Sequence, residues 1–443
     1  MKVNIIYELN NREYNNCVLL QRELIRRGHD ARIYNKTEDM LFADNTKSIT
    51  VIPNSYRKED LDHYRYVFNT NNGTIIIYPC EQVTNHKLPA FFDYSDNNPV
   101  KNLPVLCWGK DYFDFISKLG FKNKDNAIVG AVQLDFFRRE FETINETREQ
   151  LSNKYQIPFN KKWILFVSDF VFNSEIIVEQ IVNSGDQAED VIKSKHEFGK
   201  KTCEKLLEWF EVFLNEQEDY IIIYRKHPVE LLTREIQNFE RRNKGRFFTI
   251  SDLNIREWIA NCDRLACWYS TTVVECVAAN KNMVLLRPYM MEESSGFNDY
   301  EFFKHYYKVT EYDQFKDAML RNKNEYTSET LKVIDRLYSI DMNPSFKRVA
   351  DVLEKIEQTK KNNLRDPEKY FKIKRWRYLL CNLIPLKIIL KKMFQGAYIL
   401  FGFKFSRQGE SRKAVNEWIA TVNNKKKYAI MAEKIDKIID LYT

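Results

Sequence analysis

Tyr220-Ile221-Ile222-Ile223-Tyr224 runs directly into Arg225-Lys226-His227-Pro228. The first five residues are β-formers without a charge and read as a strand. Three potentially cationic side chains then emerge together at its carboxyl end, and Pro228 sits where a following helix should start. A ligand phosphate there would meet charge-assisted donors and a helix amino end. A basic turn with a capping His is the plainer reading of the same residues.

A second junction has the same form. Cys267-Trp268-Tyr269-Ser270-Thr271-Thr272 is followed by Val273-Val274-Glu275-Cys276, so a strand meets three hydroxyl residues that open a helix. Hydroxyls at such a start satisfy orphan amides, and the same groups can hold a phosphate oxygen. Glu275, about one turn in, is within reach of a ribose hydroxyl. Alone, the stretch is an ordinary capping box. The two junctions are expected on neighbouring strands, with only the unit Arg246–Asn261 between them, which makes a shared phosphate site the better reading of the pair.

Outward from these junctions, short β-branched runs alternate with amphipathic stretches over about 350 residues, the pattern of parallel sheets with crossover helices. Strands are expected at Val3–Tyr7, Asp30–Tyr34, Ser48–Ile52, Thr74–Tyr78, Val105–Trp108 and Ala127–Val129. A second series comprises Trp163–Val167, Tyr220–Tyr224, Phe247–Ile250, Asp263–Trp268 and Met283–Arg287. Helices are expected at Tyr14–Arg27 with a glycine stop at Gly28, at Glu197–Asn215, near Val229–Arg242, and over Ser328–Ile356. The expected architecture is two facing, Rossmann-like doubly wound domains, residues 1–155 and 156–359, with a cleft between them. Ligands in such sheets sit at the carboxyl ends of the strands.

Composition sets the bounds. The chain has 443 residues, 44% hydrophobic and 30% charged, with only 12 Gly and 11 Pro. This excludes disordered and collagen-like classes. The eight cysteines form no CxxC and no finger-like cluster with His, so no structural zinc site is expected. The amino-terminal residues read as a strand and not as a signal peptide, which gives the expectation of a reducing cytoplasm and free thiols.

The net charge of +7 hides an asymmetry. Residues 360–443 carry 20 Lys/Arg and 7 Asp/Glu, a balance of +13, so the first 359 residues carry −6. Within 370–405, Trp376, Tyr378, Leu379, Leu380, Ile388 and Ile389 alternate with Lys372, Arg375, Arg377, Lys387, Lys391 and Lys392. The longest uncharged run there, Met393 to Phe403, is 11 residues, too short to span a bilayer. Basic residues beside aromatic and aliphatic ones suit the headgroup layer of an anionic membrane, each contributing about 1 kcal/mol. The expectation is peripheral attachment to the inner face of the cytoplasmic membrane. Nucleic acid is not expected, given so many aliphatic residues.

Glu81, in Ile75-Ile76-Ile77-Tyr78-Pro79-Cys80-Glu81-Gln82, follows a buried strand of the first half and is a candidate general base. Asp135 reads as a helix cap. His29, His63, His86, His196 and His305 have no partners at catalytic or metal spacing. No Walker loop, GxGxxG or GxSxG occurs, which counts against P-loop kinases, NAD-dependent dehydrogenases and the common serine hydrolases.

Taken together, these residues resemble the GT-B glycosyltransferases of bacterial surface-carbohydrate biosynthesis, and most of all the CMP-sugar-using sialyl-, polysialyl- and Kdo-transferases. His227-Pro228 matches the His-Pro motif of that group, and Ser270-Thr271-Thr272 with Glu275 matches its Ser/Thr-rich turn. Cys80-Glu81-Gln82 falls where its acidic motif carries the base. Leu24–Ile33, Trp108–Gly109 and Val129–Arg138 are similar as well. The resemblance implies an inverting, metal-independent transferase without a cofactor, working from a nucleotide-sugar donor such as CMP-Kdo or CMP-sialic acid. It implies a glycan or lipid-linked acceptor. Glu81 would be the base, with His227, Arg225, Lys226, Pro228, Ser270, Thr271, Thr272 and Glu275 around the donor. A CDP-glycerol polyol-phosphate transferase, a sugar-nucleotide epimerase and a catalytically decayed scaffold of a glycan assembly complex are the rivals.

Overall fold

The computed structural model describes residues 1–8, 10–36, 48–67, 73–83, 92–184, 188–251, 254–291, 297, 300–321, 326–340, 343–360 and 425–439. The basic segment 370–405 and His86 lie outside them. Two compact units are present: Met1–Asp135 with Arg336–Thr443, and Phe136–Asp335. These divisions differ from the 155/156 and 359/360 boundaries read from the sequence: the described residues from Arg336 onward group with the first unit, and Phe136–Tyr155 group with the second.

In the first unit, strands β1 (Lys2–Tyr7), β2 (Asp30–Asn35), β3 (Ile49–Ile52) and β4 (Thr74–Ile77) form a parallel sheet in the order β2-β1-β3-β4. Ile77 bridges Val105 in parallel, leading to the pair β5 (Leu106–Cys107) and β6 (Ala127–Ile128). All six strands fall where the apolar runs place them. The helix Asn10–Arg26 ends at Gly28, whose φ of +82° allows its N–H to reach Ile25 O at 2.8 Å while His29 N reaches Leu24 O at 3.0 Å.

That first helix carries two later ones, Ser345–Lys360 and Lys425–Ile439. Arg27 Nη1 bonds Asp351 at 2.6 Å and Glu354 at 3.0 Å, and His29 Nε2 lies 2.7 Å from Glu354. Ile435, Ile438 and Ile439 of the last helix are buried, and Arg22 pairs with Asp436 at 3.3 Å. The end of the basic stretch is therefore part of the first unit's core and not of a free tail. The expected helix over Ser328–Ile356 is two helices, Ser328–Tyr338 and Ser345–Lys360, broken where Ser339 takes φ +46° ahead of Pro344.

The second unit holds six parallel strands: β7 (Lys162–Val167), β8 (Tyr220–Arg225), β9 (Phe247–Ile250), β10 (Arg264–Cys267), β11 (Met283–Leu286) and β12 (Lys308–Val309). Their order is β12-β11-β10-β7-β8-β9, the Rossmann arrangement, in which the chain reverses direction between its first and fourth strands. That switch point lies between β7 and β10. Every residue of β8 is buried, so Tyr220–Tyr224 reads as an unbroken uncharged run instead of an alternating one. The long helix Glu189–Glu216 lays Leu206, Trp209, Phe210 and Phe213 over the sheet. It starts earlier than expected. Two Rossmann-like doubly wound units in one chain are the α/β class anticipated from the sequence, and they are the components of a GT-B fold.

Candidate functional site

At the carboxyl edge of the second sheet, Val167 is flanked by Arg225 on one side and Cys267 on the other. The two junctions singled out in the sequence therefore bracket β7. They are not on adjacent strands as expected, because β9 adds beyond β8 and leaves β7 in the middle. Both still border the switch point, where open α/β sheets take ligands.

The turn after β8 departs from expectation. No helix begins at Pro228: Glu230 N reaches His227 O at 2.9 Å, closing a tight turn, and the helix starts at Arg234. The three basic side chains do not emerge together. Arg225 and Lys226 are each 7% exposed, and the Lys226 ammonium turns back to donate to Glu230 O at 3.0 Å. His227 is partly exposed. The Val229 N–H donates to its Nδ1 at 3.4 Å, which assigns the imidazole proton to Nε2. Burial first, then the Arg225 and Lys226 charges, push the His227 pKa down to about 4. At neutral pH the imidazole is a neutral Nε2–H donor.

Beneath the turn lies a polar cluster that sequence reading did not find. Glu230 is fully buried. Its Oε2 accepts from Ser168 Oγ at 2.7 Å and from His227 N at 3.0 Å, and its Oε1 lies 2.6 Å from the Tyr224 hydroxyl. Ser168 and Tyr224 are themselves 2.6 Å apart. Burial pushes the Glu230 carboxyl up. A Glu three residues past a His gives no signal in a sequence, and Ser168 is 62 residues away from it.

On the other side of β7, Ser270 Oγ accepts from Thr272 N at 3.3 Å and donates to Thr272 Oγ1 at 3.0 Å. Thr271, the residue before the helix Thr272–Ala278, is exposed and makes no side-chain cap. The expected capping role thus falls to Ser270. Glu275 in the first turn of that helix is partly buried. Burial raises its carboxyl pKa, opposed by the charges of Arg225 and Arg256 and by a bond to Thr272. The second unit thus brings Arg225 near both His227 and Glu275.

Arg256 and Arg287 are two further cations missed in the sequence. Arg256 is 7% exposed, sits 4.2 Å over the Phe136 ring, and has no hydrogen-bond partner for either Nη. Burial pushes its guanidinium down to about 10. Arg287, just past β11, is buried under Tyr269 and Phe303. A cavity lined by Asn261, Cys262, Asp263, Asn280, Lys281 and Asn282 opens at the opposite, amino-terminal edge of β10 and β11 and includes none of these groups.

In the first unit, Glu81 is exposed on the loop after β4. Its neighbour Gln82 fixes that loop: Nε2 donates to Pro79 O and Leu106 O, both at 3.0 Å, and Oε1 accepts from Trp108 N at 2.7 Å. Asp135 does cap a helix, though a distant one, the helix Ser345–Lys360. Glu8, Glu13 and Cys80 place one donor atom each within 4.8 Å of one another. Lys36 Nζ at 2.6 Å and Asn54 Nδ2 at 3.1 Å already bond Glu8 there.

No protein-family model matches the chain, and no curated protein matches it. Solved structures do resemble it. A variant of the wall teichoic acid polymerase TagF soaked with CDPG is 11% identical, covering 81% of this chain and 89% of that chain, at a TM-score of 0.49. A co-structure of S. aureus MnaA with UDP is 10% identical over 81% of this chain and 97% of that chain, at 0.47. A putative UDP-N-acetylglucosamine 2-epimerase from Listeria monocytogenes is 11% identical over 83% and 98%, at 0.45. Likeness this distant carries no argument about chemistry, and the α/β class rests on the two sheets themselves. Among the described residues, no helix is long and apolar enough to cross a membrane.

Proposed function

We propose that the chain is an inverting, metal-independent glycosyltransferase that uses a nucleotide-activated sugar, CMP-linked as in CMP-Kdo or CMP-sialic acid, to extend a glycan or glycolipid acceptor. The observation that carries this reading is the bracketing of β7: a buried Arg225 and a neutral His227 on one side, the Ser270–Thr272 turn with Glu275 on the other, all at the switch point of a Rossmann sheet. A phosphate there would accept from His227 Nε2–H, Arg225 and the hydroxyls of the 270–272 turn, while Glu275 is suited to a ribose hydroxyl. Lys226 and Pro228 shape the turn.

In the reaction, Glu81 would take the proton of the acceptor hydroxyl as that oxygen attacks the anomeric carbon. The bond from carbon to the phosphate oxygen breaks, and its electron pair leaves on the phosphate. Donors already in place offset that growing charge without reorganising. Segment 370–405, outside the described residues, would hold the enzyme at the inner leaflet beside lipid-linked acceptors.

Incubation with CMP-Kdo, CMP-sialic acid, CDP-glycerol and UDP-sugars, reading which nucleotide is released, tests this. CMP release that depends on acceptor and is lost in His227→Ala supports it. Release from CDP-glycerol alone would assign a polyol-phosphate transferase, conversion of a UDP-sugar without acceptor an epimerase, and failure to bind any nucleotide a scaffold.

A further inference from the structure

Three oxygen–oxygen contacts close a ring under the His227 turn: Ser168 Oγ to Tyr224 Oη at 2.6 Å, Tyr224 Oη to Glu230 Oε1 at 2.6 Å, and Ser168 Oγ to Glu230 Oε2 at 2.7 Å. Each contact is a full hydrogen-bond distance for an O–H donor, so each needs its own proton. Ser168 and Tyr224 supply one proton each. An ionised Glu230 would leave one contact with lone pairs opposed and no proton between them.

We propose that Glu230 is a positioning residue that works as a neutral carboxylic acid, its proton completing the ring that fixes the His227-Pro228 turn. Glu230 Oε1–H donates to Tyr224, the Tyr224 hydroxyl donates to Ser168, and the Ser168 hydroxyl donates to Glu230 Oε2. Main-chain donors fill the remaining places: Phe170 N–H on Ser168 Oγ at 3.3 Å and His227 N–H on Glu230 Oε2 at 3.0 Å. Every group in a fully buried site is then satisfied. Burial raises both the Glu230 and Tyr224 pKa values, in keeping with the proton staying in the ring.

The ring acts on the candidate site through His227. By holding the 227 amide it sets the turn in which Val229 N–H meets His227 Nδ1, and so keeps the imidazole proton on Nε2 where a phosphate would meet it. The titratable and charged groups facing Glu230 are Tyr224, Lys226 and His227 from β8 and its turn and Cys203 from the helix Glu189–Glu216. The thiol is pushed up by burial and is uncharged at neutral pH.

This inference rests on the phosphate site proposed above, and its test separates the two. The full-length protein is compared with Glu230→Gln, Glu230→Asp and Tyr224→Phe by infrared spectroscopy, by 15N shifts of the His227 imidazole and by calorimetric binding of CMP. Gln reproduces a protonated Glu in shape and in donor and acceptor, so it should keep the imidazole shifts and hold CMP within about twofold of wild type. It should remove a carboxylic-acid carbonyl band present at neutral pH. Asp is too short for the ring, and Phe removes one of its oxygens. Each should weaken CMP about tenfold, the worth of roughly one buried hydrogen bond, and move the imidazole shifts. Absence of the acid band, or a Gln variant as weak as Asp, overturns the proposal. If Asp fails to fold, the infrared and Gln comparisons decide. If wild type binds no CMP, the phosphate reading fails while the band and the imidazole shifts still judge the ring.

Discussion

Asp135 accepts the Ser345 main-chain N–H at 3.0 Å across 210 residues of sequence, and its second oxygen takes the Phe346 N–H at 2.9 Å. The carboxylate is buried and starts the helix that lies on Asn10–Arg26. Asp135→Ala should cost the first unit about 2 kcal/mol, since it strands two buried amides. Asp135→Asn, which keeps one acceptor, should cost about half that. Urea unfolding measures both, and an alanine variant as stable as wild type would show that the helix start is held by other groups.

His227 gives a pH dependence with a defined sign. Its folded pKa, about 4, lies below its ordinary value of 6.5, so the unfolded chain binds the proton more readily. Stability is complete above 6.5 and falls as pH drops towards 4, by at most about 3 kcal/mol. His227→Gln should flatten the denaturation midpoint between those limits. An unchanged slope would mean that the imidazole is as free to charge in the fold as in water.

The carboxyl-terminal helix should behave as core. Ile438→Asp places a charge on a buried face and should destabilise the first unit by about 3 kcal/mol or more. Ending the chain after Lys360 removes the same cover from Asn10–Arg26 and should lower solubility. Removing only residues 370–405 leaves the helix Lys425–Ile439 in the chain and should abolish binding to anionic vesicles. Equal vesicle binding with and without that segment would overturn the attachment proposed for it.

Gly109 is set by close approach. A Cβ there would run into the main chain of Arg336 and Leu337, which is held by Arg336 Nε on Asp111 at 2.6 Å and by Tyr338 stacked on Trp108 at 5.5 Å. Gly109→Ala should cost about 1–3 kcal/mol and lower the melting temperature. A neutral effect would mean that the returning chain yields easily.

Much of the fold could be read from the sequence because parallel strands buried on both faces leave long apolar runs. Ile75–Ile77 and Ile221–Ile223 are unmistakable, and the basic and hydroxyl residues just past β8 and β10 do border the switch point. What escaped was set by distant partners. Nothing local shows that Glu230 lies under Ser168, that Gln82 holds Trp108, or that Lys226 folds back while His227 stays partly exposed. Pro228 looked like a helix start because proline favours that position, yet here it occupies a tight turn closed by Glu230. The grouping of Arg336 onward with the first unit is hidden for the same reason: amphipathic spacing identifies Ser345–Lys360 as a helix but not the element it covers.

The packing of both late helices on Asn10–Arg26 has a consequence for synthesis on the ribosome. Phe136–Asp335 is one uninterrupted stretch and can complete its core as soon as it emerges. The unit begun by Met1 must wait, its first helix uncovered, until Ser345–Lys360 and then Lys425–Ile439 arrive. The unit that starts earlier in this sequence is therefore completed after the one that follows it, and during that interval Asn10–Arg26 is the surface that a chaperone would have to shield.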